Sequence, residues 1–149
     1  MEMQDILDVV NTAAAASLSL SKGGWEGWVQ CELWRHLVDK GESAEREAPY
    51  PVPYSNLRCD LVADADGTPL WVEIKAFGVF RHGDEVRFLD SVSTDVMKLG
   101  SKPEGAIGLA VVIVPNAIAD SFRRALSDRG WHGFKVQEAE YVSVFHLQF

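Results

Sequence analysis

Residues 57–77 read LRCDLVADADGTPLWVEIKAF, and they predict the β-hairpin from which the rest of the fold can be placed. Two strand-like segments flank Asp66 and Gly67, a dipeptide typical of tight two-residue turns. If these two residues form the centre of the turn, Ala65 faces Thr68. The turn then fixes which residues face each other along both strands.

Counting outward in that register places Asp60 directly opposite Glu73, with their Cβ atoms roughly 5 Å apart on one face. Side chains alternate along a strand, so Lys75 shares the face of Glu73, while Val72 and Ile74 point into apolar surroundings. Two opposed carboxylates repel each other, and a hard cation with oxygen ligands removes the conflict. The alternative is that two acidic residues on half-exposed strands coincide by chance, and a one-residue slip of the turn would weaken the geometric argument. The residues therefore predict a divalent metal site.

The length and composition are those of one domain. With 47% hydrophobic and 24% charged residues, residues 1–149 can bury a core, but they leave no room for a second recognition domain. The formal net charge of −8 argues against binding nucleic acid by bulk electrostatics, because such domains carry a basic footprint. Any contact with phosphates must therefore be local.

Other compositional signals predict a cytoplasmic protein. Cys31 and Cys59 are isolated, and the histidines lack the spacing of a zinc site. Glu2, Asp5 and Asp8 stand where a secretory signal would carry positive charge, and no apolar run approaches membrane-spanning length. We therefore expect a reducing compartment and no membrane association.

Hydrophobic periodicity predicts the remaining elements of a single α/β domain with a mixed sheet flanked by helices. The unbroken apolar strand at 107–114 must be covered on both faces, which favours a parallel neighbour reached through the preceding helix. In chain order the first predicted elements are a helix over 3–18, a break at 21–24, a helix over 25–40 and a strand over 45–52. They are followed by hairpin strands over 57–63 and 70–77, a helix over 88–99, a strand over 107–114, a helix capped by Asn116, and a strand over 141–149.

The segment 25–114 resembles the PD-(D/E)xK nuclease superfamily. The resemblance rests on a helix with an early acidic residue, the WEGWVQCEL run of 25–33, and on strands that carry Cys59-Asp60 and Glu73-Ile74-Lys75, followed by a helix and a buried strand. Cys59 stands where proline often stands in the superfamily. The resemblance implies a restriction-endonuclease-like αβββαβ core, here with an extra N-terminal helix and a C-terminal α-β extension.

By resemblance, Asp60 and Glu73 would hold one or two Mg²⁺ or Mn²⁺ ions, and Lys75 would orient or activate the attacking water. These roles agree with the chemistry of the residues, because a bound metal stabilises negative charge in the transition state and acidifies water, and a lysine adds a second cation.

Many members of the superfamily also use a glutamate from the helix before the sheet, and here Glu26 and Glu32 are the candidates for catalysis and metal binding. Six residues apart on a helix, they diverge by more than a right angle, so only one can easily reach the strands. We prefer Glu26, which shares a face with Gln30, the position best aligned with the family glutamate when counted back from Gly41. Either acid would alternatively be a boundary residue of an amphipathic helix.

Gln30 and Lys98 are candidates for contact with nucleic acid, and Lys98 is the best placed of the basic residues that follow the hairpin. All five basic residues that follow the hairpin lie among acidic residues, and a solvated mixed face is the favoured alternative for them: Arg81, His82, Arg87, Lys98 and Lys102.

The predicted function is metal-dependent hydrolysis of phosphodiester bonds in DNA, with RNA left open as an alternative substrate, within repair, restriction, phage conflict or mobile-element biology. Because an acidic monomer should bind DNA weakly, a homodimer or a protein partner is expected. The alternative is a catalytically silent nuclease-like module that binds a protein partner.

Overall fold

The computed structural model describes residues 1–22 and 24–149 as a six-stranded sheet with helices on both faces. The α-helices are α1 (Met3–Val10), α2 (Ala13–Leu18), α3 (Glu26–Asp39), α4 (Glu85–Leu99) and α5 (Asn116–Asp128), and a 3₁₀ helix covers Val79–Arg81. The strands are β1 (Ala44–Pro49), β2 (Arg58–Ala65), β3 (Thr68–Ala76), β4 (Ile107–Pro115), β5 (Lys135–Glu138) and β6 (Val142–Gln148). The predicted α/β class is confirmed.

The sheet is mixed, as predicted, and its strand order is β1-β2-β3-β4-β6-β5. Strands β3 and β4 run parallel, joined by the crossover helix α4, and the other neighbouring pairs are antiparallel. Every residue of β4 after Ile107 is buried, because helices cover both faces of this central strand.

The hairpin has the predicted register. Ala65 pairs with Thr68, and the observed pairing continues outward to Leu61 and Val72, so Asp60 and Glu73 are the next positions. Asp66 and Gly67 have φ values of 54° and 82°. Two successive positive φ angles are what a tight turn of this type requires, which explains why this dipeptide sets the register.

Alternation along the strands divides the core into two layers. Val72 and Ile74 of β3 pack with α1 and α3 on one face, where the predicted stripe of α3 is buried (Trp25, Val29, Leu33 and Leu37). On the opposite face, Val112 and Val114 of β4 pack against aromatic residues of α4 and α5. Glu73 and Lys75 therefore belong to the face that α4 covers, since they alternate with Val72 and Ile74.

The single N-terminal helix predicted over 3–18 is wrong, because two helices occupy that segment. Helix α1 ends at Asn11, and Thr12 begins α2 by accepting a hydrogen bond from the backbone N–H of Ala15 at 3.1 Å. Threonine and asparagine side chains bond nearby backbone groups and so favour helix ends over helix interiors. Part of the break predicted at 21–24, Gly23, lies outside the described residues.

The predicted helix cap at Asn116 is also wrong. Asn116 is the first residue of α5, and its amide nitrogen donates instead to the carbonyl oxygens of Ala139 and Glu140, at 2.8 and 3.0 Å. Its amide oxygen accepts from the hydroxyl of Ser143 at 2.9 Å. The side chain thus links the start of α5 to the start of β6.

The sequence prediction missed β5 and placed the end of β1 too late. Strand β1 ends at Pro49, before the turn that contains Pro51 and Pro53. Strand β5 is an edge strand whose four residues are all exposed. Among the described residues, no helix is long and apolar enough to cross a membrane.

Candidate active site

Charged side chains from β2, β3 and α4 meet beside the hairpin, on the face of the sheet that α4 covers. Strand β2 contributes Asp60, and β3 contributes Glu73 and Lys75, whose spacing of two places both on one face. Helix α4 contributes Asp95 and Lys98, which contact these strand residues. The sequence brings the first three together through the turn, and the crossover helix adds the other two.

Glu73 is the most deeply buried acid of the cluster, at 1% exposure. Its Oε1 accepts a hydrogen bond from the Tyr50 hydroxyl at 2.7 Å, and its Oε2 accepts one from Lys98 Nζ at 2.7 Å. Burial, followed by the negative charge of Asp60, raises the pKa of Glu73 to about 7, although Lys98 and Tyr50 act in the opposite direction. A pKa this high means that the positive charge around Glu73 does not offset the effects of burial and of the neighbouring Asp60 on its ionised form.

Asp60 is half-buried, and its Oδ2 accepts a hydrogen bond from the backbone N–H of Ile74 at 2.7 Å. Burial raises the pKa of Asp60 above its ordinary value, while this hydrogen bond and the charges of Lys75 and Lys98 partly oppose the rise. The effect of Asp60 on the pKa of Glu73 shows that the two carboxylates repel each other, as the register predicted.

Lys75 of β3 forms ion pairs with acids of two helices, α3 and α4. Its Nζ lies 3.1 Å from Oε1 of Glu26 and 3.0 Å from Oδ2 of Asp95. Burial alone would lower the pKa of Lys75, but the charges of Glu26 and Asp95 outweigh it and raise the pKa above its ordinary value. Lys75 is therefore a fixed cation at neutral pH rather than a base.

Of the two candidate helix acids, Glu26 is the one that reaches the cluster. Besides its contact with Lys75, its Oε2 accepts a hydrogen bond from the backbone N–H of Ala76 at 3.3 Å. Glu32 points elsewhere and pairs with Arg35 on the surface of α3 at 2.7 Å. The N-terminus of α3 lies near the end of β3, because the indole N–H of Trp25 donates to the Phe77 carbonyl at 3.2 Å.

The two predicted nucleic-acid contacts occupy different environments. Lys98 lies within the cluster, bonded to Glu73, with its side chain 21% exposed. Gln30 is buried at 8% exposure on α3, so little of its surface faces solvent.

Tyr50 and Asp95 are members of the cluster that the sequence analysis missed. Asp95 stands three residues before Lys98 on α4, a spacing that places two residues on one helical face. That spacing was a usable signal, but many acidic residues share α4 and the preceding turn. Tyr50 follows β1 at a turn, and nothing in its local sequence indicates that its hydroxyl reaches Glu73.

The cluster has more negative than positive charge. Oδ2 of Asp95 is buried without a hydrogen bond of good geometry, although Lys75 Nζ lies 3.0 Å away. When every acid is ionised, four carboxylates and two ammonium groups leave a formal charge of −2: Glu26, Asp60, Glu73 and Asp95 with Lys75 and Lys98. The charge of one divalent cation would balance this excess, and carboxylate oxygens are the donors that Mg²⁺ and Mn²⁺ prefer.

The acids are nevertheless held by lysines rather than gathered into a preformed metal cage. Within residues 1–22 and 24–149, no group of three or more histidine, cysteine or acidic side chains is arranged to hold a metal ion. Lys98 bonds one oxygen of Glu73, and Lys75 lies between Glu26 and Asp95. The donor set and the charge thus fit a divalent cation, and Lys98 is the group that competes with it for Glu73.

No protein-family model, no curated protein and no solved structure matches this chain, so the chemistry of the cluster has to be inferred from its own side chains.

Proposed function

We propose that this protein is a metal-dependent nuclease of the PD-(D/E)xK type, which hydrolyses phosphodiester bonds in DNA, with RNA as a second substrate. The observation that carries the proposal is the placement of four side chains in one cluster. The hairpin sets Asp60 beside Glu73, and Lys75 on the same strand bonds Glu26 from the helix before the sheet. These are the residues to which the resemblance assigns catalysis.

The order of elements supports a restriction-endonuclease-like core. Helix α3, strands β1, β2 and β3, helix α4 and strand β4 follow one another in the αβββαβ order that the resemblance implies. The four strands are neighbours in that order in the sheet. On this proposal α1 and α2 are N-terminal additions, and α5, β5 and β6 form a C-terminal extension.

Asp60, Glu73 and Glu26 would hold the metal, with Asp95 as a further carboxylate beside them. When bound, Mg²⁺ or Mn²⁺ would stabilise negative charge on the phosphate and lower the pKa of bound water. Lys75 stays protonated, so we assign it to orienting the attacking water and to stabilising charge on the phosphate oxygens, not to accepting a proton.

Substrate binding must overcome an unfavourable net charge. A formal charge of −8 repels a polyanion at long range, so a homodimer or a protein partner would strengthen binding of DNA.

The test is cleavage of linear, circular, single-stranded and branched DNA, and of RNA, with Mg²⁺ or Mn²⁺. Wild type is compared with Lys75→Ala and with Lys135→Ala, a matched control on the exposed strand β5. We expect metal-dependent cleavage that Lys75→Ala abolishes and Lys135→Ala retains. Absence of cleavage on every substrate by folded wild type, or equal cleavage by both variants, would contradict the proposal.

One observation favours a second candidate, a catalytically silent module that binds a protein partner. Lys75 and Lys98 already pair with the acids, so the fold does not depend on a metal to separate them. The two candidates differ in metal affinity. In calorimetric titration with Mn²⁺ and no substrate, the nuclease would show a heat of binding, and Asp60→Asn would remove it. A silent module would show no such heat.

A further inference from the structure

A second surface adjoins the cluster and is not used by the proposed chemistry. Phe80 and Arg81, in the 3₁₀ helix after β3, line two neighbouring clefts of about 370 and 430 Å³. The first cleft is also lined by Glu26 and Ala76, which belong to the cluster or contact it. The second cleft extends along the start of α4 to Arg87. The two clefts thus share Phe80 and Arg81, and one of them reaches Glu26 of the cluster.

Arg81 is positioned by aromatic rings rather than by an acid. Its guanidinium carbon lies 5.5 Å from the centre of the Phe80 ring and 6.0 Å from that of Phe88. Guanidinium groups stack on aromatic faces in this way and keep their N–H donors free for an anion. The fold therefore holds a guanidinium in place without neutralising it.

Arg87 adds a second guanidinium to the same cleft. Within the described part of the chain, no carboxylate lies within 4.0 Å of either Arg81 or Arg87, although Asp84 also lines the cleft. Arg35, Arg123 and Arg129 pair with acids, whereas no salt bridge of the described residues involves Arg46, Arg58 or Arg124. In a chain with a formal charge of −8, these two guanidinium groups are a local concentration of positive charge, with Asp84 beside them.

Phe80 presents an aromatic ring to solvent between the two clefts. Phe80 is 41% exposed, so part of its ring is open to solvent. Gly78 supports the ring from below: a Cβ at that position would lie 2.4 Å from Cε1 of Phe80 and 3.1 Å from the Ser19 carbonyl oxygen. The ring therefore occupies the space that a side chain at position 78 would need.

We propose that Phe80, Arg81 and Arg87 hold an unpaired nucleic-acid strand that leads into the active site. One base stacks on Phe80, and flanking phosphates bind the two guanidinium groups. The inference deepens the nuclease function proposed above and rests on it for the choice of a nucleic acid. An exposed aromatic ring with nearby arginines is the combination that single-strand binders use.

Two features favour an unpaired strand over a duplex. The face of Phe80 can stack only on a base that is free of its neighbours, and bases in a duplex are already stacked and paired. A duplex also presents one negative charge per roughly 1.7 Å of its axis, and two guanidinium groups on an acidic protein offer little to offset the repulsion. An unpaired end, flap or loop avoids both costs.

The test is fluorescence anisotropy with a labelled single-stranded DNA, its RNA equivalent and the same DNA as a duplex, in EDTA so that no cleavage occurs. We expect either single strand to bind more tightly than the duplex, and the DNA and RNA arms to identify which strand is preferred. Equal or tighter binding of the duplex would overturn the proposal.

Variants then separate stacking from charge. Phe80→Ala should weaken binding of the single strand by about 5-fold to 100-fold, which corresponds to the loss of one stacked base. The matched control is Phe149→Ala, which removes another exposed ring beside a cation, Lys102, at a distant site. Gly78→Ala should also weaken binding, because it displaces the ring and with it the Arg81 guanidinium that stacks on the ring, while Arg87 stays in place. An effect of Phe149→Ala as large as that of Phe80→Ala would overturn the proposal.

The salt dependence of the binding affinity measures how many phosphates the protein contacts. With two guanidinium contacts, the slope of log affinity against log salt should be about −1.4 for a single strand, and Arg87→Gln should reduce its magnitude by about 0.7. Arg124→Gln, on the exposed side of α5, is the control and should leave the slope unchanged. An unchanged slope for Arg87→Gln would exclude the arginine contact.

This experiment also distinguishes the two proposals. Single-strand binding that depends on Phe80, without metal-dependent cleavage, would support the binding surface and contradict the nuclease function. Cleavage that is lost in Lys75→Ala, with binding that is indifferent to Phe80 and Arg87, would support the nuclease and overturn the binding surface.

Discussion

The ammonium group of Lys98 donates a 2.7 Å hydrogen bond to Glu73, an acid buried to 1% exposure. Even with this partner, burial and the neighbouring charge of Asp60 raise the pKa of Glu73 from 4.5 to about 7. Helix α4 thus supplies part, but not all, of the positive charge that the strand acids need. The stability of the metal-free protein should therefore depend on pH in a specific direction.

In the unfolded chain Glu73 loses its proton near pH 4.5, whereas in the folded protein it keeps the proton to about pH 7. Between these values the folded state binds more protons, so the free energy of unfolding should fall as the pH rises through this window. At about 1.4 kcal/mol per pKa unit, the contribution is about 3 kcal/mol. Asp60, whose pKa is also raised, acts in the same direction.

Glu73→Gln should remove most of this pH dependence, because the amide does not titrate. The measurement is urea unfolding of the metal-free protein at several pH values between 4.5 and 7, with Glu32→Gln on the surface of α3 as the control. Acids with lowered pKa values, such as Asp5 and Glu42, affect stability below this window. A wild-type stability that rises from pH 4.5 to 7, or one with the same slope in Glu73→Gln, would contradict the prediction.

Lys98→Met should make the protein more dependent on a divalent cation. The substitution leaves Glu73 buried without its charged partner, so the pKa of Glu73 should rise further and the free energy of unfolding at neutral pH should fall. Mn²⁺ would replace the missing charge, and Lys98 no longer competes for the same oxygen. Mn²⁺ should therefore raise the melting temperature of Lys98→Met more than that of wild type.

Differential scanning fluorimetry with and without Mn²⁺ measures this difference. Lys135→Met is the matched control, since this lysine lies on the exposed edge strand β5. Equal Mn²⁺ shifts in wild type and Lys98→Met would show that Lys98 does not compete with a cation for Glu73.

Glu26 and Glu32 form a matched pair for testing which acid of α3 serves catalysis. Glu26→Gln removes the charged partner of Lys75 and a proposed metal ligand, so metal-dependent cleavage should fall by about 10-fold or more. Glu32→Gln removes only an exposed pair with Arg35, which should contribute little to stability. Cleavage rates and melting temperatures of both variants check this, and equal losses of cleavage would argue against a role for Glu26.

The parts of the fold that were predictable from sequence are those in which local chemistry and burial agree. Asp66 and Gly67 accept positive φ values, so the turn fixed the register without help from distant residues. The helix α3 has an apolar stripe that the sheet buries, and β4 is apolar throughout. In each case the residues themselves carry the pattern.

The parts that were missed depend on distant contacts. Strand β5 is polar and fully exposed, and only its pairing with β6 makes it a strand. Asn116 resembles a helix cap, but carbonyl groups before β6 occupy its side chain. Asp95 joins the site only because α4 packs over β3. The sequence therefore predicted the strand residues of the site and the helix residues Glu26 and Lys98, but not Asp95 or Tyr50.

A substitution at Tyr50 tests how strongly one hydrogen bond from a neutral donor affects the pKa of Glu73. Its hydroxyl donates to Glu73 at 2.7 Å, and burial with this bond raises the pKa of Tyr50 above its ordinary value. Tyr50→Phe keeps the packing against Trp71 but leaves Oε1 of Glu73 without this donor, so the free energy of unfolding should fall by about 1 to 3 kcal/mol. The hydrogen bond from Tyr50 favours the ionised form of Glu73, so its loss should raise the pKa of Glu73 further. The loss of stability should therefore be larger at pH 8 than at pH 5. Tyr54→Phe, at an exposed tyrosine, is the control, and an equal loss at both pH values would show that Tyr50 supports the fold without tuning Glu73.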